Sequence, residues 1–197
     1  PILAKSCSMI GSIQIQNRGT LGGNVGNASP AGDSLPVLCA LDADVLIGPK
    51  VNGQFKKIKF SNYFTGFKTS ILKDNEYIAY FSIPLESRNP SKWYFRKVGQ
   101  RFSMAISKVS LAMLIWVENN TITKVNISTG SVNAVINRAS KTEEFLIGKN
   151  LTNETIKNAV EIIKTEVKPI KDIRSNVEYR RHIAGELLKE ALNVTII

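Results

Sequence analysis

Cysteine and histidine are scarce in this sequence: Cys7 and Cys39 are the only cysteines and His182 the only histidine. Metal and iron–sulfur centres normally need about four clustered ligands, so two distant cysteines exclude such a centre built by this chain. A Ser–His–Asp triad would have to use His182, and no G-x-S-x-G elbow accompanies it. Cys39 lies in an apolar, helix-like run with Leu38, Ala40 and Leu41, which favours a buried free thiol over a disulfide. Long hydrophobic runs are missing too. The longest, residues 109–117, falls well short of the ~18–20 apolar residues that a membrane span needs. No charged-then-apolar leader opens the chain, so a cytoplasmic protein, with no membrane partner, is expected. Acid is also short: 16 Asp and Glu stand against 26 Lys and Arg, for a net charge of +10. That balance invites a nucleic-acid or acidic partner. The basic residues are scattered, however, and their densest groups, Lys56/Lys57/Lys59 and Arg174/Arg180/Arg181, lack the interleaved aromatics of a single-strand platform. A solvated basic surface is the favoured reading, and nucleic acid is not an expected partner.

What remains is ordinary globular material. The chain has 197 residues, 43% hydrophobic and 21% charged, enough for a core without disulfides and unlike a disordered chain. It shows no internal repeat and no low-complexity tract. It opens at Pro1 rather than Met, which suggests a processed product or a fragment.

Apolar spacing predicts a short helix over residues 2–13. Residues 14–33 hold five of the thirteen glycines and read as a loop. A helix over 34–43 follows, with Asp33 or Ser34 as its N-cap and Pro36 tolerated in its first turn. Strands are expected at 45–47 and 54–60 around an Asn52–Gly53 turn, a mixed loop at 61–72, and a strand at 76–83. The polar run 86–92 with Pro90 reads as a domain boundary. Strands at 93–98, 107–117 and 121–128 come next, the last two joined by an Asn119–Asn120 turn. Ile156, Val160, Ile163 and Val167 then define one helix face and Tyr179, Ile183, Leu187 and Ala191 another, with Pro169 ending the first helix.

The informative stretch runs from Gln16 to Asp33. Gly22–Gly23 would let backbone approach a ligand closely, and successive amides there form a potential anion nest. Thr20 offers a hydroxyl, Asn24 an amide and Asp33 an acceptor for sugar hydroxyls. The spacing fits neither the G-x-G-x-x-G fingerprint nor a P-loop. Read physically, a phosphate-cradling loop and a purely structural turn weigh equally.

The run does resemble the second glycine motif of the FAD-binding medium subunit in the xanthine dehydrogenase and carbon monoxide dehydrogenase family of molybdenum hydroxylases. That pattern is N-x-G-T-[IL]-G-G-N, then A-S-P-x-x-D, then L-P-x-L-x-A-L-D-A. Here it is carried by Asn17, Gly19, Thr20, Leu21, Gly22, Gly23 and Asn24, by Ala28, Ser29, Pro30 and Asp33, and by Leu35, Pro36, Leu38, Ala40, Leu41, Asp42 and Ala43. The likeness extends through Phe64, Gly66, Thr69, Leu72, Glu76, Ile78, Ile83 and Pro84. It continues at Phe95, Lys97, Arg101, Ile106 and Val109 and closes at Asp172, Arg174, Ser175, Tyr179 and Arg180. It covers essentially the whole chain.

The resemblance implies an electron-transfer flavoprotein subunit. In the family, substrate is hydroxylated at a molybdenum cofactor on a large subunit. Electrons then cross two two-iron two-sulfur clusters on a small subunit, reach FAD on the medium subunit and pass to NAD or another acceptor. By position, Thr20, Leu21, Gly22, Gly23 and Asn24 would bind the FAD pyrophosphate, and Asp33 would hold a cofactor hydroxyl. Ile78 would pack on the isoalloxazine ring and Lys97 would lie near it. None of these residues would be catalytic, because the flavin carries the redox step. The plainer readings are Ile78 as core, Lys97 as a surface lysine, Asp33 as a helix cap and the Tyr179/Arg180 pair as structural. Family members often carry an aspartate just before the position of Ile106; here Ala105 stands there.

The implied fold is α+β: a second FAD-binding subdomain over 1–87 with a mixed sheet and helices, then a C-terminal domain over 88–197 with a three-stranded antiparallel sheet and a helical bundle. Family subunits also carry a first subdomain with an A-G-G motif, and nothing like it occurs here. The chain therefore reads as a medium subunit without that subdomain, expected to hold FAD weakly alone and to join a separate N-terminal subdomain or another partner. A cofactor-free assembly module derived from the fold is the competing reading.

Overall fold

The structure, a computed structural model, describes residues 1–101, 103–170 and 172–195. Its first segment forms two helices where periodicity suggested one, α1 (Ile2–Cys7) and α2 (Ile13–Arg18). The break falls at Gly11, whose φ is +56°, in the left-handed region that favours glycine. A Cβ there would also lie 2.9 Å from the Ile15 Cβ. The stretch read as loop is largely helical as well, containing most of α2 and all of α3 (Leu21–Gly26). Thr20 starts α3 by accepting a bond from the Gly23 amide at 2.9 Å, a capping bond that offsets the poor helix propensity of its glycines. Helix α4 (Ser34–Ala40) is buried along its whole length.

Strands β1 (Asp44–Val51) and β2 (Gln54–Lys59) meet at Asn52–Gly53, where both residues have positive φ, as a tight hairpin turn requires. The expected mixed loop contains a one-turn 3-10 helix (Phe60–Asn62) and a small hairpin of β3 (Phe64–Gly66) and β4 (Thr69–Ser70). Edge-on packing of Tyr63 against Phe64 and Phe60 against Phe64 anchors it. Strand β5 (Tyr77–Ser82) completes a sheet of order β2-β1-β5. Every pairing in it is antiparallel, so the sheet is not mixed.

The second part holds β6 (Lys92–Val98), β7 (Val109–Glu118), β8 (Thr121–Gly130) and the two-residue β9 (Asn137–Arg138), an antiparallel sheet in that order. The long strands are the three expected, and β9 adds a short fourth. Helices α5 (Ser140–Leu146), α6 (Asn153–Glu166) and α7 (Val177–Asn193) follow. Strand β7 is buried on both faces and reads with period two. Leu111, Met113 and Ile115 join the core formed with α6 and α7, while Ala112 and Leu114 meet Val37 and Ala40 of α4 and Ile2 of α1. Helix α4 thus lies between the two sheets and belongs to both cores. Cys39 on α4 is buried and free, with its thiol pushed up to about 11 by burial. Among the described residues, no helix is long and apolar enough to cross a membrane.

Candidate functional site

Helix α3 is a ridge among three adjoining clefts. One of about 530 Å³ lies against α1 and α2 and is lined by Cys7, Ile15, Thr20, Leu21, Gly23 and Asn24. A second, about 500 Å³, sets Thr20, Leu21 and Gly22 against Ile78 and its neighbours on β5. The third and largest, about 850 Å³, runs from Asn24 and residues 29–33 past residues 104–106 to Asp172, Arg174 and Arg180. Thr20 and Leu21 line the first two, and Asn24 lines the first and third. Tertiary folding therefore brings the glycine motif to Ile78, more than fifty positions away, with a Cβ built on Gly22 only 4.0 Å from the Ile78 Cβ.

Backbone donors on α3 are unequal. The Gly23 amide is taken by Thr20 Oγ1 and the Asn24 amide by the Thr20 carbonyl. The amides of Leu21 and Gly22 have no partner among the described residues, as expected for the first turn of a helix. Asn24 accepts a 2.6 Å bond from Ser34 Oγ, which fixes its amide plane, and its NH2 group has no partner among the described residues. Gly32 is required by packing, since a Cβ there would lie 2.8 Å from Leu35 Cδ1 and 3.2 Å from Asn24 Oδ1.

Asp33 and Lys97 meet directly. Lys97 Nζ lies 2.5 Å from Asp33 Oδ2, both side chains being under a tenth exposed. Lys97 is therefore not a surface lysine. It also donates to the Met9 carbonyl at 2.7 Å and the Ala105 carbonyl at 3.1 Å, so its three protons are all engaged. Ser107 Oγ donates to the other Asp33 oxygen. Asp33 stands at the N-cap position of α4 but makes no side-chain capping bond; its carboxylate faces the second half of the chain. Burial pushes that carboxyl above its ordinary range, against the pull of the Lys97 and Ser107 bonds. Asp33 lines the large cleft, and Lys97 lies behind it, lining none of the three.

Sequence reasoning did not single out Ser107 or the Met9 carbonyl, which carry no local signal. Arg180 was read as structural, and it is buried at 5% exposure, donating to the Ser131 carbonyl and to Asp172 Oδ1. The Asp172–Arg174 turn that borders the same cleft was given no separate role.

A helix wedged between two antiparallel sheets, with a glycine-built ridge dividing clefts along its flank, defines an α+β protein with clefts at the seam. The sequence matches the family described as the FAD binding domain in molybdopterin dehydrogenase over residues 1–86 and the CO dehydrogenase flavoprotein C-terminal domain over residues 93–195. The chain belongs to this family of molybdenum hydroxylase flavoproteins. It is similar to the carbon monoxide dehydrogenase medium chain of Hydrogenophaga pseudoflava, at 27% identity over 98% of this chain and 66% of the relative. It is also similar to the glyceraldehyde dehydrogenase medium chain of Sulfolobus acidocaldarius, at 29% identity over 97% and 66%. The chain thus spans about two thirds of the length of these relatives. A solved structure of the Hydrogenophaga pseudoflava carbon monoxide dehydrogenase shares the fold, with a TM-score of 0.90 at 23% identity, covering 99% of this chain and 67% of that one.

Proposed function

We propose that this chain is the larger part of an FAD-binding electron-transfer subunit of a molybdenum hydroxylase. Electrons would arrive from iron–sulfur clusters on a small subunit and leave for NAD or another acceptor. The substrate would be oxidised at the molybdenum cofactor of a large subunit, in the cytoplasm. The observation that carries this reading is the meeting of the Thr20–Asn24 ridge with Ile78 across one cleft, in a chain of this family.

The residues fit the cofactor. Leu21 and Gly22 present the two open amides for the pyrophosphate. Thr20 and Gly23 build the turn that aims them, and Asn24 adds a side-chain donor. Asp33 has a lone pair left on each oxygen for a cofactor hydroxyl, since Lys97 and Ser107 take only one apiece. Ile78 offers an apolar wall to the ring. Lys97 acts through Asp33 and the Ala105 carbonyl rather than by touching the ring. The flavin, when bound, supplies the redox chemistry; the chain binds, orients and excludes water. We divide it into a second FAD subdomain over 1–87 and a C-terminal domain over 88–197.

The experiment is the visible absorption spectrum of the purified chain, taken before and after incubation with FAD and desalting. Flavin binding that is largely lost on desalting, and retained once the first subdomain of a family member is added, is the expected result. Tight stoichiometric flavin in the chain alone would remove the need for that subdomain. No flavin binding under either condition overturns the reading in favour of a cofactor-free assembly module.

A further inference from the structure

Asp33 is gripped on both oxygens: Lys97 takes Oδ2 and the Ser107 hydroxyl takes Oδ1. Ser107 is buried and is itself anchored, its carbonyl accepting from Ser131 Oγ at 2.9 Å. Ser131 has a φ of +64°, in the left-handed region that side chains disfavour. All three of its polar groups are engaged. Its amide donates to the Pro30 carbonyl at 2.8 Å, its carbonyl accepts from the buried Arg180, and its hydroxyl reaches Ser107. A continuous run of bonds therefore leads from α7 through Ser131 and Ser107 to Asp33. The next residue, Lys108, is pinned to the end of β6, its amide donating to the Val98 carbonyl at 2.8 Å. The Ser107 hydroxyl is thus held on a fixed backbone. A carboxylate bonded on one oxygen can turn about that bond; one bonded on both keeps its plane, and with it the direction of its remaining lone pairs.

We propose that Ser107 is a positioning residue for cofactor binding: it fixes the plane of the Asp33 carboxylate so that a free lone pair meets a hydroxyl of the flavin cofactor, and Ser131 holds Ser107 in place. The inference rests on the flavin reading above and adds a residue that lines none of the three clefts and acts through Asp33. The same bond favours the ionised carboxyl, against the burial that pushes Asp33 up. Around Asp33, Lys97 on β6 and, across the cleft, Lys68, Arg174 and Arg180 are cations. Cys7 on α1 is pushed up by burial. Asp172 is held below its ordinary range, its bonds from the Arg174 amide and Arg180 outweighing its burial. An acid limb of cofactor binding therefore belongs to Asp33.

The test is FAD titration of the purified protein, read by flavin fluorescence between about pH 5 and pH 8, a range above the ordinary carboxyl pKa, with folding checked by circular dichroism. Ser107→Ala is expected to weaken FAD binding about tenfold at pH 7, the low end for a bond to a charged group, and to move the acid limb to higher pH. Ser107→Thr, which keeps the hydroxyl, is expected to restore both. Ser131→Gly suits the left-handed backbone but removes the anchor, and as an independent second variant is expected to weaken binding about threefold, the worth of a neutral bond. FAD binding unchanged in both Ser107→Ala and Ser131→Gly overturns the inference and leaves the flavin reading standing. So does weakening of Ser107→Ala by one factor at every pH, which is lost packing without any hold on the carboxylate. An unaltered protein that binds no FAD overturns the flavin reading, and the role of Ser107 with it.

Discussion

Lys97 Nζ holds four segments at one point: the turn after α1 through Met9, the start of α4 through Asp33, its own strand, and the 99–108 connection through Ala105. A buried ion pair contributes little over an apolar substitute, but removing one partner leaves the other charge stranded. Lys97→Met is therefore expected to cost about 3–5 kcal/mol at pH 7, measured by urea unfolding. The pH dependence has a definite sign. Asp33 is already held above the ordinary carboxyl range by burial, and without Lys97 it rises further. A native carboxyl with a raised pKa binds its proton more tightly than the unfolded chain does. Its contribution is therefore present below the unfolded value of about 3.9 and lost as pH rises through the folded one. The deficit of Lys97→Met should shrink as pH is lowered from 7 towards 4, and a deficit constant over that range contradicts the stranded carboxylate.

At the scale of elements, α3 and α7 stand at opposite extremes. Helix α7 has seventeen residues, a side-chain cap from Asn176 to the Tyr179 amide at 2.7 Å, and a buried face. Its Gly185 lies so close to α6 that an added Cβ would fall 2.7 Å from Lys164 Cε and 3.1 Å from Val160 Cγ1. Helix α3 has six residues, three of them glycine, and a single fully buried side chain, Val25. Such a helix has little intrinsic stability, so the Thr20 cap matters more than its usual ~1 kcal/mol suggests. Thr20→Ala is expected to speed hydrogen exchange at Gly23 and its neighbours by about fivefold and to weaken FAD binding, while Thr20→Ser retains both. Unchanged exchange in Thr20→Ala would show that packing against α4, not the cap, holds the ridge.

For the molecule as a whole, α4 decides cooperativity. Its Leu35, Leu38 and Cys39 pack with the first sheet, and its Val37 and Ala40 pack with Ala112 and Leu114 of the second. Asn126 of β8 ties the two further by donating to the Ala40 carbonyl at 2.7 Å. A shared core predicts one unfolding transition. Tryptophan fluorescence, which reports Trp93 and Trp116 on β6 and β7, and far-ultraviolet circular dichroism should therefore give the same urea midpoint. Leu114→Ala, a truncation at a site only 1% exposed, should lower both midpoints together by the equivalent of about 2–5 kcal/mol. Separate midpoints would mean that the parts unfold independently.

Local pattern alone specified much of this protein. The spacing of Ile156, Val160, Ile163 and Val167 set a helical face, and all four are buried; on α7 Leu187 and Ala191 are buried while Tyr179 is exposed, and the apolar run over residues 109–117 forms a strand buried on both faces. The Asn52–Gly53 and Asn119–Asn120 turns were equally legible, because few residues tolerate positive φ. The motif from Thr20 to Asn24 and the residues around Ile78 were visible through their likeness to a family. The helical state of α3 was hidden, because the propensity of its glycines points away from helix and a cap bond 2.9 Å long cannot be seen in composition. Hidden too were the true partner of Asp33, which looked like a helix cap and bonds Lys97 sixty-four positions on, and the sharing of α4 between two sheets. Such pairings depend on which surfaces meet after the chain has folded, and hydrophobic burial, which brings them together, depends on area and not on sequence distance.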